Sequence, residues 1–144
     1  MAKDDFSATA ERSEPQTKAH RLLIVEDEAV IRFVLRCELE QRGFAVTEVE
    51  DGAAAVATFE RDPEAWVGAF VDFLLPDTLG DVVIERLLAM RPDLPVVLMT
   101  GDCDPATERK ARERELTILR KPFPLERVRP LVAAMLRREQ ERSA

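Results

Sequence analysis

Short apolar runs alternate with amphipathic stretches along most of this chain. Leu22-Leu23-Ile24-Val25, Ala69-Phe70-Val71, Val96-Val97-Leu98-Met99 and Leu116-Thr117-Ile118-Leu119 are too short for free-standing helices. Such runs suit strands buried on both faces of a parallel sheet. Phe44 to Val49 alternates apolar and polar and reads as one more strand, second in chain order. Between the runs the spacing becomes helical. Val30, Ile31, Val34, Leu35 and Leu39 predict a helix over about 28–42, with Gly43 just past its end as a left-handed cap. Asp51-Gly52 opens an alanine-rich helix to about Arg61, and Pro63 breaks it. Val82, Val83, Leu87 and Leu88 mark a third helix over about 80–91. Asp104-Pro105 is a cap and first-turn pair for a fourth over about 105–114. Leu125, Val128, Leu131, Val132, Met135 and Leu136 mark a fifth over about 125–140.

Five strand–helix repeats predict an α/β domain with a parallel sheet over residues 21–140. Periodicity leaves the strand order open. Residues 1–20 are polar and aperiodic and read as a flexible leader, and 141–144 as a charged tail. The fourth helix is almost entirely polar, so it has little to bury and should be weakly held. Pro130 falls inside the predicted fifth helix, where a missing donor and a ring clash cost about 3 kcal/mol if unrelieved. A kink or a late helix start is expected there.

Composition narrows the function. A chain of 144 residues suits one domain, and 46% hydrophobic with 34% charged residues is ordinary for a soluble fold. A net charge of −7 argues against a general nucleic-acid binder. No apolar stretch approaches the roughly 20 residues of a membrane span, and the start lacks a signal-peptide core, so a cytoplasmic protein is expected. Cys37 and Cys103 do not make a disulfide framework. His20, the single histidine, falls in the leader and reads as a solvated residue.

The chemistry lies in how the strands end. The first runs into Glu26-Asp27, the third into Asp72, the fourth into Thr100, and the fifth is followed by Arg120 and Lys121. In an open parallel sheet these ends share one edge, where ligands bind. Each residue alone could be a helix cap, but together they set three carboxylates, a hydroxyl and an ammonium in one crevice. Hard oxygen donors suit magnesium. A phosphoryl group needs charge neutralisation and positioning. A carboxylate nucleophile would give an aspartyl phosphate, and Asp72, ending the central-looking third strand, is the natural one.

Val25-Glu26-Asp27-Glu28, Asp72-Phe73-Leu74-Leu75-Pro76-Asp77, Met99-Thr100-Gly101 and Lys121-Pro122-Phe123 together resemble the receiver domain of bacterial two-component response regulators. The resemblance covers about residues 20–140. It implies a flavodoxin-like (CheY-like) fold of five parallel strands in the order 2-1-3-4-5, flanked by five helices. It also implies Asp72 as phosphoacceptor for a histidine kinase or histidine phosphotransfer protein. Magnesium, with manganese as a substitute, would be held by Asp27, Asp72 and the backbone carbonyl of Leu74, with Glu26 acting directly or through water. Thr100 would follow the phosphoryl group and Lys121 would pair with it. The fourth helix, fifth strand and fifth helix would form the face for a downstream protein or a homodimer.

The chain departs from that family at three places. Ile118 occupies the position, three before the lysine, where a tyrosine or phenylalanine is usual, so a modified switch is expected. Arg112-Glu113-Arg114-Glu115 replaces the usual glycine–alanine pair after the fourth helix, whose end must then be capped differently, and the Thr100–Lys121 spacing looks about one residue short. Pro130 is the third. The leading expectation is a stand-alone receiver that signals by docking or onward phosphotransfer. The alternatives are a pseudo-receiver that only binds, or a receiver cut from a hybrid kinase. An aspartate-nucleophile phosphatase would need an acid two residues after Asp72, where Leu74 stands, so turnover of external substrates is not expected. No Ser/Thr/Gly-rich loop follows the first strand to hold a flavin phosphate.

Overall fold

The computed structural model describes residues 20–102 and 104–143. The elements run β1 (His20–Val25), α1 (Ala29–Gln41), β2 (Phe44–Val49), α2 (Gly52–Glu60), β3 (Trp66–Asp72), α3 (Gly80–Met90), β4 (Val96–Thr100), α4 (Pro105–Glu113), β5 (Thr117–Arg120) and α5 (Val128–Ser143). Short 3-10 turns at Pro63–Ala65 and Leu125–Arg127 precede β3 and α5. All five strands are parallel, in the order β2-β1-β3-β4-β5.

The two-residue strand period divides the core into two layers. Leu22, Ile24, Phe70 and Leu119 face α1 and α5, packing on Leu35, Leu39, Val128 and Val132. Leu23, Val25, Ala69, Val71 and Leu98 face the other way, onto Ala55 and Phe59 of α2 and Val83, Ile84 and Leu87 of α3. Every residue of β3 is buried, as a central strand covered on both faces requires.

Several local expectations come out differently. His20 is the first residue of β1, in register with Phe44, so it belongs to the sheet; the rest of the expected leader, and Cys103, lie outside the described residues. In α1 the apolar stripe is only partly used. Leu35 and Leu39 are buried, whereas Val30 is 75% and Phe33 57% exposed. In α3 it is Ile84 that is buried with Val83 and Leu87, while Val82 faces out. Helix α5 runs on to Ser143, through residues expected to be tail, and Arg142 pairs there with Glu64, Asp93 and Glu139.

Pro130 is accommodated by a late start. The chain first makes the 3-10 turn at Leu125–Arg127, and α-helix begins at Val128. The proline then sits in the first turn, where its missing N–H has no intrahelical partner to lose. The end of α4 shows the familiar left-handed geometry on an unfamiliar residue. Glu115 has φ +60°, Leu116 N donates to Ala111 O at 2.8 Å, and Glu115 N donates to Arg112 O at 3.0 Å. This is a Schellman closure with glutamate where glycine is favoured.

Candidate functional site

The carboxyl ends of β1, β3, β4 and β5 lie along one edge of the sheet, and Glu26, Asp27, Asp72, Thr100 and Lys121 close or follow those strands there, whereas Ile118 lies within β5. As β1 ends, Glu26 turns inward, fully buried, and Asp27 turns out to solvent. The turn is strapped from three sides. Glu26 N donates to Val49 O at 3.1 Å, Glu28 N donates to Glu26 Oε2 at 3.1 Å, and Arg32 Nη1 donates to Glu26 O at 2.8 Å. The same guanidinium reaches Glu48 Oε1 at 3.1 Å through Nε, which ties α1 to β2.

Asp72 closes β3 and is 5% exposed. The backbone beyond it is tightly held. Phe73 N donates to Met99 O at 2.8 Å, and Gly80 N donates back to Phe73 O at 2.6 Å. A Cβ on Gly80 would lie 2.2 Å from Asp72 O, so only glycine lets α3 begin this close to the strand end. Between them Leu74 bridges Leu79, and Leu75 N donates to Thr78 O at 3.2 Å. Asp77 reaches across to the start of α2, accepting from Gly52 N at 2.8 Å and Ala53 N at 3.0 Å. Asp51 caps the same helix from within, accepting from Ala54 N at 2.8 Å. Those backbone donors hold the Asp77 carboxyl below the usual aspartate range.

Lys121 joins the two acidic strand ends. Its Nζ lies 2.9 Å from Glu26 Oε1 and 3.1 Å from Asp72 Oδ1, while its backbone N donates to Thr100 O at 2.8 Å. The Lys121–Pro122 peptide bond is cis. Burial pushes the Glu26 carboxyl up, and repulsion from Asp72 adds to this; Lys121 and the Glu28 amide oppose it without cancelling it. Burial acts to lower the Lys121 pKa, but hydrogen bonding and attraction from Glu26 and Asp72 outweigh it, so the ammonium is held above its ordinary value.

Oxygens of Glu26, Asp27 and Asp72 all lie within 4.8 Å of one another. One ammonium does not balance three carboxylates. Glu26 Oε1 meets the Lys121 ammonium and has no further hydrogen-bond partner among the described residues. A cluster of hard oxygens with surplus negative charge fits magnesium. Thr100 is buried, and its hydroxyl is engaged within its own loop, donating to Asp102 O at 2.9 Å and accepting from Asp102 N at 3.2 Å. Ile118 is half-buried, opposite Leu98 in register, and packs into the α3 side of the core.

Sequence reasoning missed two members of this neighbourhood. Asp77 was visible only as part of a motif, because its partners lie 24 and 25 residues away on α2. Arg32 lies between the apolar positions of α1, and nothing local announces its hold on the Glu26 carbonyl.

The family model for the response regulator receiver domain matches residues 22–133. The chain belongs to this family. Among curated relatives, the receiver is 34% identical over 123 residues to the probable transcriptional regulatory protein TcrX of Mycobacterium tuberculosis, covering 81% of this chain and 50% of that protein. It is 40% identical over 86 residues to the phosphate regulon transcriptional regulatory protein PhoB of Escherichia coli, covering 58% of this chain and 36% of that one. The chain thus spans about half or less of the length of these relatives. Among solved structures, a CheY-like receiver from Methanospirillum hungatei superposes with a TM-score of 0.79 at 21% identity, over 86% of this chain and 98% of the other. The Borrelia burgdorferi CheX–CheY–BeF3–Mg complex gives 0.75 at 17%, over 81% of this chain and 89% of the other. Receiver domains bind magnesium at an acidic pocket and work with histidine kinases and phosphotransfer proteins in two-component signalling. Among the described residues, no helix is long and apolar enough to cross a membrane.

Proposed function

We propose that this receiver accepts a phosphoryl group on Asp72 from the phosphohistidine of a histidine kinase or histidine phosphotransfer protein. It then signals through altered protein docking or onward phosphotransfer. The P–N bond of the donor breaks as a bond to an Asp72 carboxylate oxygen forms, and the histidine leaves with its nitrogen free. The observation that carries this reading is the position of Lys121 Nζ, about 3 Å from both Glu26 and Asp72, with Asp27 exposed beside them. An ammonium placed there draws charge from the incoming phosphoryl oxygens, the kind of help this chemistry needs most.

Glu26, Asp27, Asp72 and the Leu74 carbonyl would hold the magnesium, with Glu26 acting directly or through water; manganese would serve in its place. The bound metal supplies charge neutralisation and fixes the phosphoryl oxygens. Thr100 supports a reporting role. Its hydroxyl now donates to Asp102 O and must leave that partner to meet a phosphoryl oxygen, which would carry Gly101, Asp102 and the start of α4 with it. The output face is then α4, β5 and α5. Ile118, packed in the core where an aromatic ring is usual, supports a switch that works without a swinging ring.

Donor docking has support on the opposite side of the crevice. Val30, Ile31, Val34 and Leu35 of α1 and Phe123 and Leu125 after Lys121 line an apolar groove of about 440 Å3. A helix carrying the donor histidine would cover that groove and bring the imidazole to the strand ends. With a kinase as donor, the receiver works in the cytoplasm. Leu74, apolar and exposed two residues past Asp72, leaves no acid–base group there for turnover of external substrates.

A pure interaction module would have no need to keep the acids, Thr100 and Lys121 together. Incubation with acetyl phosphate and magnesium, followed by intact mass, tests the reading. The expected result is a gain of one phosphoryl group, prevented when the metal is chelated beforehand and absent in Asp72→Asn. No gain, or a gain that survives Asp72→Asn, overturns it.

A further inference from the structure

We propose that the face made by α4, β5 and α5 binds a short acidic segment of a partner protein. This rests on the reading of that face as the output surface and adds the chemistry of what it recognises.

Charge is strongly divided along the chain. From His20 to Asp102 there are seven basic side chains against seventeen acidic ones, but from Pro105 to Ser143 there are eleven against six. Because β5 is the outermost strand, flanked by α4 and α5, this basic stretch forms one edge of an otherwise acidic molecule. Basic groups at the margins of the edge are neutralised by neighbouring elements. Lys110 and Arg114 reach Asp81 and Glu85 of α3, and Arg129 reaches Glu38 of α1. Those in the middle are not. Arg109, Arg112, Arg127 and Arg138 are exposed and have no acidic partner among the described residues.

Helix geometry places these four around β5. On α4, Ala111 points into the core, Lys110 and Arg114 point to α3, and Glu108 points to Arg120 of β5 at 2.5 Å. The 3.6-residue period then puts Arg109 and Arg112 on the outer side towards β5. On the other flank, Leu131, Ala134 and Arg138 line a shallow groove of about 90 Å3 with Glu115 and Thr117, and Arg127 sits one turn before Leu131. Each free guanidinium keeps a planar fork of donors suited to a carboxylate.

Edge protection, self-association and nucleic-acid binding each suit these arginines less well. Basic residues beside an edge strand can block edge-to-edge pairing; this accounts for Arg120 but not for arginines on both helices. A symmetric dimer through this face would bring two sets of these unpaired arginines into one interface. A duplex carries a charge about every 1.7 Å and runs on past a single edge, where it would meet the acidic remainder of the surface. A short acidic segment satisfies the arginines and ends before reaching it.

The test is fluorescence anisotropy of a labelled decaglutamate peptide titrated with the full chain at low and physiological salt. Arg109→Glu/Arg112→Glu and Arg127→Glu/Arg138→Glu are compared with Arg61→Glu/Arg86→Glu, which makes the same change in net charge just past the end of α2 and on α3. Salt-sensitive binding should weaken about tenfold in each face variant, since two attractions become two repulsions, and stay within about twofold in the control. No binding by the wild-type chain at low salt, or equal loss in the control, overturns the proposal. So does tighter binding of an oligothymidylate of equal length, or a dimer in sedimentation that the face variants abolish. Circular dichroism confirms that each variant is folded. Phosphorylation by acetyl phosphate is read separately: its failure in the wild-type chain counts against Asp72 as acceptor, whereas intact phosphorylation without peptide binding counts against this proposal alone.

Discussion

Helices α3 and α4 lie side by side on one face of the sheet, and different forces anchor them. Helix α3 buries Val83, Ile84 and Leu87, and its first residue, Gly80, presses against the backbone of Asp72. Helix α4 buries only Ala111 and is held to its neighbours by Lys110–Asp81, Arg114–Glu85 and Glu108–Arg120. Exposed ion pairs contribute little and are screened by salt, whereas each buried side chain contributes about 1.5–3 kcal/mol. Asp72, the acceptor proposed above, is therefore seated on the rigid side of this pair. The threonine that would sense the phosphoryl group leads directly into the loose side. A receiver needs that division, because a site must be preorganised to react while a reporter must be cheap to move.

The largest expected effect lies in α3. Leu87→Ala should cost about 3 kcal/mol in urea unfolding, and no single truncation in α4 should approach it. An α4 variant of equal cost would erase the contrast. Gly80→Ala comes next, at about 2 kcal/mol. Because the added methyl meets Asp72 O, it should also slow phosphorylation beyond what its stability loss explains. A normal phosphorylation rate would show that α3 does not seat the acceptor. In the opposite direction, Glu115→Gly should stabilise by up to about 1 kcal/mol by relieving the left-handed cap of α4; a neutral or destabilising result would mean the glutamate is held there by something more than chain closure. Smallest is Arg114→Ala, at about 0.5 kcal/mol in low salt and close to nothing in molar salt. A salt-independent loss would mean α4 is packed rather than charge-held.

The sequence carried most of the frame. Buried parallel strands announce themselves as unbroken apolar runs, and Asp51, Gly43 and Asp104-Pro105 mark helix ends by local chemistry that needs no partner elsewhere. The candidate site was legible for the same reason, since a residue that follows a strand must lie at the sheet edge. What stayed hidden depends on distant partners or on what a surface is for. The reach of Asp77 to α2 and the grip of Arg32 on Glu26 are tertiary contacts with no local signature. The exposed half of the α1 stripe looks, in sequence, like core. Even Glu115 was hidden by a sound rule, since the missing glycine suggested a different cap and the chain instead adopted the usual one at some strain.

The most direct test of a rigid acceptor coupled to a loose reporter is hydrogen–deuterium exchange with and without acetyl phosphate and magnesium, in the wild-type chain and in Asp72→Asn. Before phosphorylation, amides of α4 should exchange well ahead of those of α3 and β3. On phosphorylation the change should centre on Gly101 to Leu116, leave the buried part of α3 unaltered, and be absent in Asp72→Asn. Equal protection of α3 and α4, or a response that persists in Asp72→Asn, would contradict the account.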